Sequence, residues 1–152
     1  MVKWKPEGMQ TVTPSFAVEG CAAAIEVYKK VFGAVEKSRW MDPSGKLIWH
    51  AHLAIGDSNL FVNEYNPGMS GPKGGGGESL WLYVEDADQM FERAKVAGFK
   101  VVMPMADQFW GDRVGSVMDN WGNHWTFAKH VKDLTPEEIK TAGEAFAKSR
   151  KQ

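Results

Sequence analysis

His50 and His52 lie two residues apart and are the first pair in this sequence whose types and spacing suit chemistry. In an extended strand residues i and i+2 share a face, so both imidazoles point the same way. The alternate residues Trp49, Ala51, Leu53 and Ile55 are apolar. They should pack on helices, which sends the histidines into a cleft. A His-x-His pair can bind zinc or iron, and a histidine near Glu64 or Asp112 could act as a general base with its pKa set by the carboxylate. The plainer reading is a polar lining that holds water or substrate. His124 and His130 share parity with Thr126 and are expected on the same side if their strand runs that far.

By the same alternation Phe61, Trp81 and Tyr83 face the cleft, and Trp110 sits on a loop that should close it. Seven tryptophans in 152 residues exceed what a core of this size needs. Flat aromatic walls with a few polar groups suit a planar or apolar ligand; any one of them could instead fill a sheet interface. Asp112 and Arg113 follow Trp110-Gly111, where the glycine permits close approach of backbone to ligand or partner. Arg113 could fork onto a carboxylate or phosphate, or pair with Asp112 or Asp107 and brace the loop. Asp119 and Gly122 read as hairpin-turn residues.

The elements that must position these groups are legible as a pattern. Thr11 to Val18 reads as a half-buried strand, followed by a helix whose Ala24, Ile25, Tyr28, Val31 and Phe32 share one face, with Gly33 just past its end. Strands Val35 to Met41, Leu47 to Ile55 and Leu60 to Asn63 follow, separated by Asp42-Pro43-Ser44-Gly45 and Gly56-Asp57-Ser58. Residues 67–79 are rich in glycine and proline and read as a linker or lid. A phosphate loop would need Lys-Ser/Thr after its last glycine, where Glu78-Ser79 stand. The pattern then restarts: Leu80 to Val84 as a strand, Asp86 as N-cap of a helix over Ala87 to Ala97, Gly98 at its end, and strands at Val101 to Met103, Arg113 to Met118 and His124 to Ala128. From Gly33 to Gly98 the offset is 65 residues, so each half repeats strand, helix, three strands. A half of this kind cannot bury its sheet face alone, which argues for one α+β domain of two halves around a cleft. Thr135-Pro136-Glu137-Glu138 is a capping box that opens a last helix to about Ser149, with a narrow stripe of Ile139, Ala142 and Phe146.

The repeat, the segment Ala24-Ile25-Glu26-Val27-Tyr28 through Phe32-Gly33-Ala34, and the turn Asp119-Asn120-Trp121-Gly122-Asn123 resemble the glyoxalase/bleomycin-resistance (vicinal oxygen chelate) superfamily. His50-Ala51 before Gly56-Asp57, and above all Asp107-Gln108-Phe109-Trp110-Gly111-Asp112-Arg113, resemble its PhnB-like branch. The resemblance spans roughly Thr13 to His130. It implies two βαβββ modules in a curved mixed sheet around a cleft, module 1 at about 11–66 and module 2 at about 80–131, within one domain over 1–131, followed by a helical tail over 132–152. It also implies a homodimer. Functions in the superfamily range over isomerases, dioxygenases, thiol transferases and antibiotic-binding proteins, so fold does not fix function.

Carrying the superfamily's metal positions over by register lands on Thr13, Phe61, Trp81 and Thr126. None offers the imidazole, carboxylate or thiolate that a divalent metal takes, so the family metal site reads as lost and these positions read as ligand-binding, with Tyr83, Trp110, Arg113 and His124. No cofactor is implied, a divalent metal at a shifted site being the alternative. A methyltransferase role lacks the Gly-rich strand-to-helix turn of a nucleotide cofactor site.

The leading expectation is a small-molecule-binding protein. The alternative is a glyoxalase-like lyase or isomerase, or a dioxygenase, with His50, His52 and Asp112 as catalytic groups or metal ligands. A formal net charge of −1 offers no footprint for nucleic acid or an anionic membrane. Cys21 is the only cysteine, which excludes an intrachain disulfide, suits a reducing compartment and leaves a thiol catalyst as a minor option. No apolar stretch approaches a membrane span and the start lacks a secretory h-region, so a cytoplasmic location is expected.

Overall fold

The structure, a computed structural model, describes residues 1–68, 70, 73 and 75–151. Two compact units divide the chain, Met1–Gly76 and Gly77–Gln152. The expected linker over 67–79 includes Met69, Gly71, Pro72 and Gly74, which lie outside the described residues. Within the first unit Lys73 forms an isolated parallel bridge to Ala17.

In the first unit β1 (Ser15–Val18), α1 (Cys21–Phe32), β2 (Val35–Met41), β3 (Ile48–Ile55) and β4 (Ser58–Glu64) follow in order. The second repeats them as β5 (Ser79–Tyr83), α2 (Ala87–Val96), β6 (Lys100–Asp107), β7 (Asp112–Met118) and β8 (His124–His130), and adds α3 (Pro136–Ser149). Each unit has its own four-stranded mixed sheet, ordered β1-β4-β3-β2 in one and β5-β8-β7-β6 in the other. The first strand of each pairs parallel with the last, because a helix carries the chain back over the sheet before the antiparallel hairpins begin.

The helices form where the apolar spacing places them. Ala24, Ile25, Tyr28, Val31 and Phe32 of α1 are all buried, and Tyr28 meets Phe16 of β1 edge to face at 6.4 Å. Truncating Ile25 here would cost about 2–5 kcal/mol. Gly33 ends α1 in the left-handed conformation with φ 67°. The Glu64 carboxylate accepts from the N–H groups of Gly20 and Cys21 at 2.7 and 2.9 Å, satisfying donors that the helix start leaves open. Glu64 is therefore an anchor for α1 and not the partner of a sheet histidine. In α2, Asp86 accepts from the Gln89 N–H, and in α3 the full capping box of Thr135 and Glu138 is formed.

Two local departures matter for the site. β1 begins at Ser15 and not near Thr11: Pro14 has no N–H, and its carbonyl makes the last link, accepting from Phe61 N at 2.9 Å. Ser15 stands opposite Phe61 as Trp81 stands opposite Thr126, so the repeat equates Trp81 with Ser15, and Thr13 lies outside the sheet. In β3 a bulge intervenes, since Trp40 pairs with His50 but Met41 pairs with Ile48. Ile48, 2% exposed, thus takes the buried place expected for Trp49, which is 51% exposed.

Candidate functional site

In each unit one sheet face is closed by its helix and the other carries the chemistry-bearing residues. On the first, His52 stands opposite Phe61 and Trp40 opposite His50, with Phe61 meeting the His50 and His52 rings at centroid distances of 4.6 and 5.4 Å. His52 Nε2 lies 2.6 Å from Asn59 Oδ1. Asn59 Nδ2 donates to the Gly8 carbonyl and to Gln10 Oε1, so Asn59 Oδ1 is the acceptor and His52 Nε2 bears the proton. The anchoring Asn59 shares parity with Phe61 along β4, a signal that could have found it. His50 is held below the usual imidazole range, by burial first and by neighbouring His52 second, which keeps it neutral near pH 7 and able to accept a proton.

In the second unit β5 presents Ser79, Trp81 and Tyr83 opposite His124, Thr126 and Ala128 of β8, and Asp112 of β7 stands opposite His130. Two hydrogen-bonded groups result on one face. His124 Nδ1 lies 2.7 Å from Ser79 Oγ, which in turn lies 3.2 Å from Thr126 Oγ1. Beyond them Asp112, its side chain 4% exposed, is a hub: Tyr83 Oη donates to Oδ2 at 2.7 Å, Trp110 Nε1 donates to Oδ2 at 3.0 Å, and His130 Nδ1 donates to Oδ1 at 2.8 Å. The other His130 nitrogen, Nε2, donates to Asp133 Oδ1 at 2.8 Å. Carboxylates accept and do not donate, so both ring nitrogens carry protons and His130 is an imidazolium.

The electrostatics follow. Burial alone would raise the Asp112 carboxyl, but the hydrogen bonds from His130, Tyr83 and Trp110 together outweigh it and the net shift is downward. His130 is raised, by its bond to Asp112 first and to Asp133 second. Tyr83 is raised, chiefly because its O–H is held by Asp112. The three hydrogen bonds fix this buried carboxylate in place, and through it Asp112 braces Tyr83, Trp110 and His130. Sequence reasoning placed His130 near this face but had no means of finding its double clamp, because Asp133 lies beyond the strand.

Arg113 alternates to the helix side, where it grips Asp88 of α2 through Nε and Nη2, both at 2.8 Å, and Asp107 through Nη1 at 3.2 Å. It is thus a brace and is not brought to the aromatic face, nor does it pair with Asp112. Trp81 and Tyr83 are 47% and 63% exposed, with ring centroids 6.2 Å apart at an interplanar angle of 42°. The Asp119 turn is also a buried hub, its carboxylate accepting from Trp121 N, Asn123 N and Trp125 Nε1, each at 2.9 Å. Cys21 is buried and its thiol is pushed up to about 12, first by burial and then by Glu64, which rules out a ready thiolate nucleophile.

At the positions where the superfamily resemblance puts metal ligands, the groups present do not fit a metal. Phe61 and Trp81 offer rings, and the Thr126 hydroxyl is engaged with Ser79. Among the described residues no three His, Cys, Asp or Glu converge in a way that could hold a metal ion.

Two four-stranded sheets with this strand order, each backed by one helix, define an α+β module repeated along the chain. Residues 10–127 match the sequence profile of the Glyoxalase/Bleomycin resistance protein/Dioxygenase superfamily, and the chain belongs to it. Among curated relatives, an uncharacterised protein of Mycobacterium bovis is 40% identical over 138 residues, covering 86% of this chain and 90% of its own. Among solved structures, TioX from Micromonospora sp. ML1 is similar with a TM-score of 0.65 and 27% identity over 80% of this chain and 99% of its own. The PhnB protein of Bacillus cereus shares the fold with a TM-score of 0.60 and 17% identity, over 79% of this chain and 99% of its own.

Proposed function

We propose that this chain is a small-molecule-binding protein of the superfamily, its ligand resting on the sheet faces that the helices leave open. The observation that carries this is the Trp81–Tyr83 pair: two large aromatic side chains stand more than two-fifths exposed on a short edge strand, backed by the Asp112 network that fixes Tyr83. Exposed rings held rigidly in place bind flat or apolar molecules at little entropic cost. Phe61, His50 and His52 make a second, smaller surface of the same kind on the first unit. A homodimer and a cytoplasmic setting belong to this reading, on the strength of the resemblance and of a single buried thiol; no helix among the described residues is long and apolar enough to cross a membrane.

The test is a screen of flat aromatic compounds by intrinsic tryptophan fluorescence, with Trp81→Ala as the comparison. Binding with micromolar Kd that weakens at least about tenfold in Trp81→Ala, a loss of roughly 1.4 kcal/mol, supports the proposal. Equal binding by both proteins removes it.

One observation favours chemistry as a second reading. His50 is kept neutral beside Phe61 and His52, as a general base needs. In isomerase and ring-cleavage assays, His50→Ala is then expected to abolish turnover while leaving the thermal midpoint within a few degrees of wild type.

A further inference from the structure

The direction of the hydrogen bonds on the β5–β8–β7 face narrows what can dock there, and the following rests on the binding reading above. Tyr83 gives its O–H to Asp112, Trp110 gives its indole N–H to the same carboxylate, and His130 gives both ring protons to Asp112 and Asp133. The donors of these three residues are therefore taken up by the two carboxylates. What faces solvent beside them is the π surface of Trp81 and Tyr83, the fully exposed Asp133 carboxylate, and part of the His130 ring, both of whose nitrogens are held by carboxylates.

Charge points the same way. Two carboxylates to one imidazolium leave the cluster one negative charge. A phenol that donates to a carboxylate gains electron density in its ring, which deepens the negative quadrupole on its face. The adjoining polar row of Thr126, Ser79 and His124 is hydrogen-bonded within itself. Such a surface has little to offer an anion or an acceptor-rich neutral ligand, and it suits a cation laid over aromatic rings. We infer that the Trp81–Tyr83 platform takes a flat organic cation, of the N-alkylated heteroaromatic kind, with Asp112 as the positioning residue and Asp133 as the long-range attractor.

Three probes of one shape separate this from the parent reading: N-methylquinolinium as the cation, quinoline as the neutral form, and naphthoate as the anion. Calorimetric titration at low salt and neutral pH is expected to show N-methylquinolinium bound at least about fivefold more tightly than quinoline, with naphthoate weakest. Trp81→Ala should lose the cation. Asp112→Asn should shrink the gap between cation and neutral probe, and Asp133→Asn, which touches no buried group, should lower cation affinity about twofold as added salt would while quinoline affinity holds. Equal affinity for the three probes, or preference for naphthoate, overturns the cation assignment and leaves the binding platform standing. Failure of all three to bind overturns both.

Discussion

Asp112 shows how a side chain can be singled out by sequence while the partners that hold it stay hidden. Its place beside Trp110 in the Asp-Gln-Phe-Trp-Gly-Asp-Arg string marked it as a candidate acid or base, but parity alone could not show that Tyr83, Trp110 and His130 all converge on its two oxygens. Contacts that join residues 18 to 29 positions apart are set by strand register, which local pattern does not report. Trp81 and Tyr83, by contrast, needed only alternation along β5, and His124 and Thr126 only alternation along β8, for each pair to be placed on one face. Arg113 was ambiguous for the same reason that Asp112 was: its partner Asp88 lies in another element. At this scale Asp112→Asn is expected to bring the Tyr83 phenol down from its raised position toward the ordinary value of about 10. Titration of tyrosinate absorbance, with Tyr83→Phe to identify the signal, checks it; an unmoved titration would mean that Asp112 does not hold the phenol.

Elements were the most legible level, because helices and strands announce themselves by period and by their end residues. The face of α1, the caps at Asp86 and Thr135 and the glycine stop at Gly33 came directly from spacing and end residues. Two departures were local, Pro14 shortening β1 and the bulge in β3 exchanging Ile48 for Trp49, while β6 runs on through Pro104 to Asp107, well past the expected end at Met103. Gly111 is a further single-residue control. It adopts φ 102°, and a β-carbon there would run into the carbonyl oxygen of Lys132, while its own carbonyl accepts from the N–H groups of Val131 and Lys132. Gly111→Ala is therefore expected to destabilise the second unit by about 2 kcal/mol or more, read as a lower urea midpoint with an unchanged slope. Gly45→Ala, also at positive φ but with open space around it, should cost less, which separates backbone strain from steric conflict.

For the molecule as a whole, the Asp112–His130–Asp133 chain makes stability depend on pH in a definite direction. Asp112 is depressed in the folded state, so its contribution is present above the unfolded carboxyl value of about 4 and is lost as pH falls through the lower folded value. His130 is raised, so its contribution is complete below about pH 6.5 and is lost as pH rises through the higher folded value. The two together favour a mildly acidic window. Urea unfolding of wild type and His130→Gln across pH 4 to 9 should give curves that differ most in that window and converge on the alkaline side; a constant difference would show that the clamp does not titrate with folding.

The buried sulfur of Cys21 has a practical corollary. It is the chain's one thiol, it sits in the first unit, and it is both inaccessible and protonated at ordinary pH. A maleimide added to the native protein can alkylate it only during excursions that open α1 away from β4. The rate of alkylation thus becomes a clock for breathing of the first unit alone.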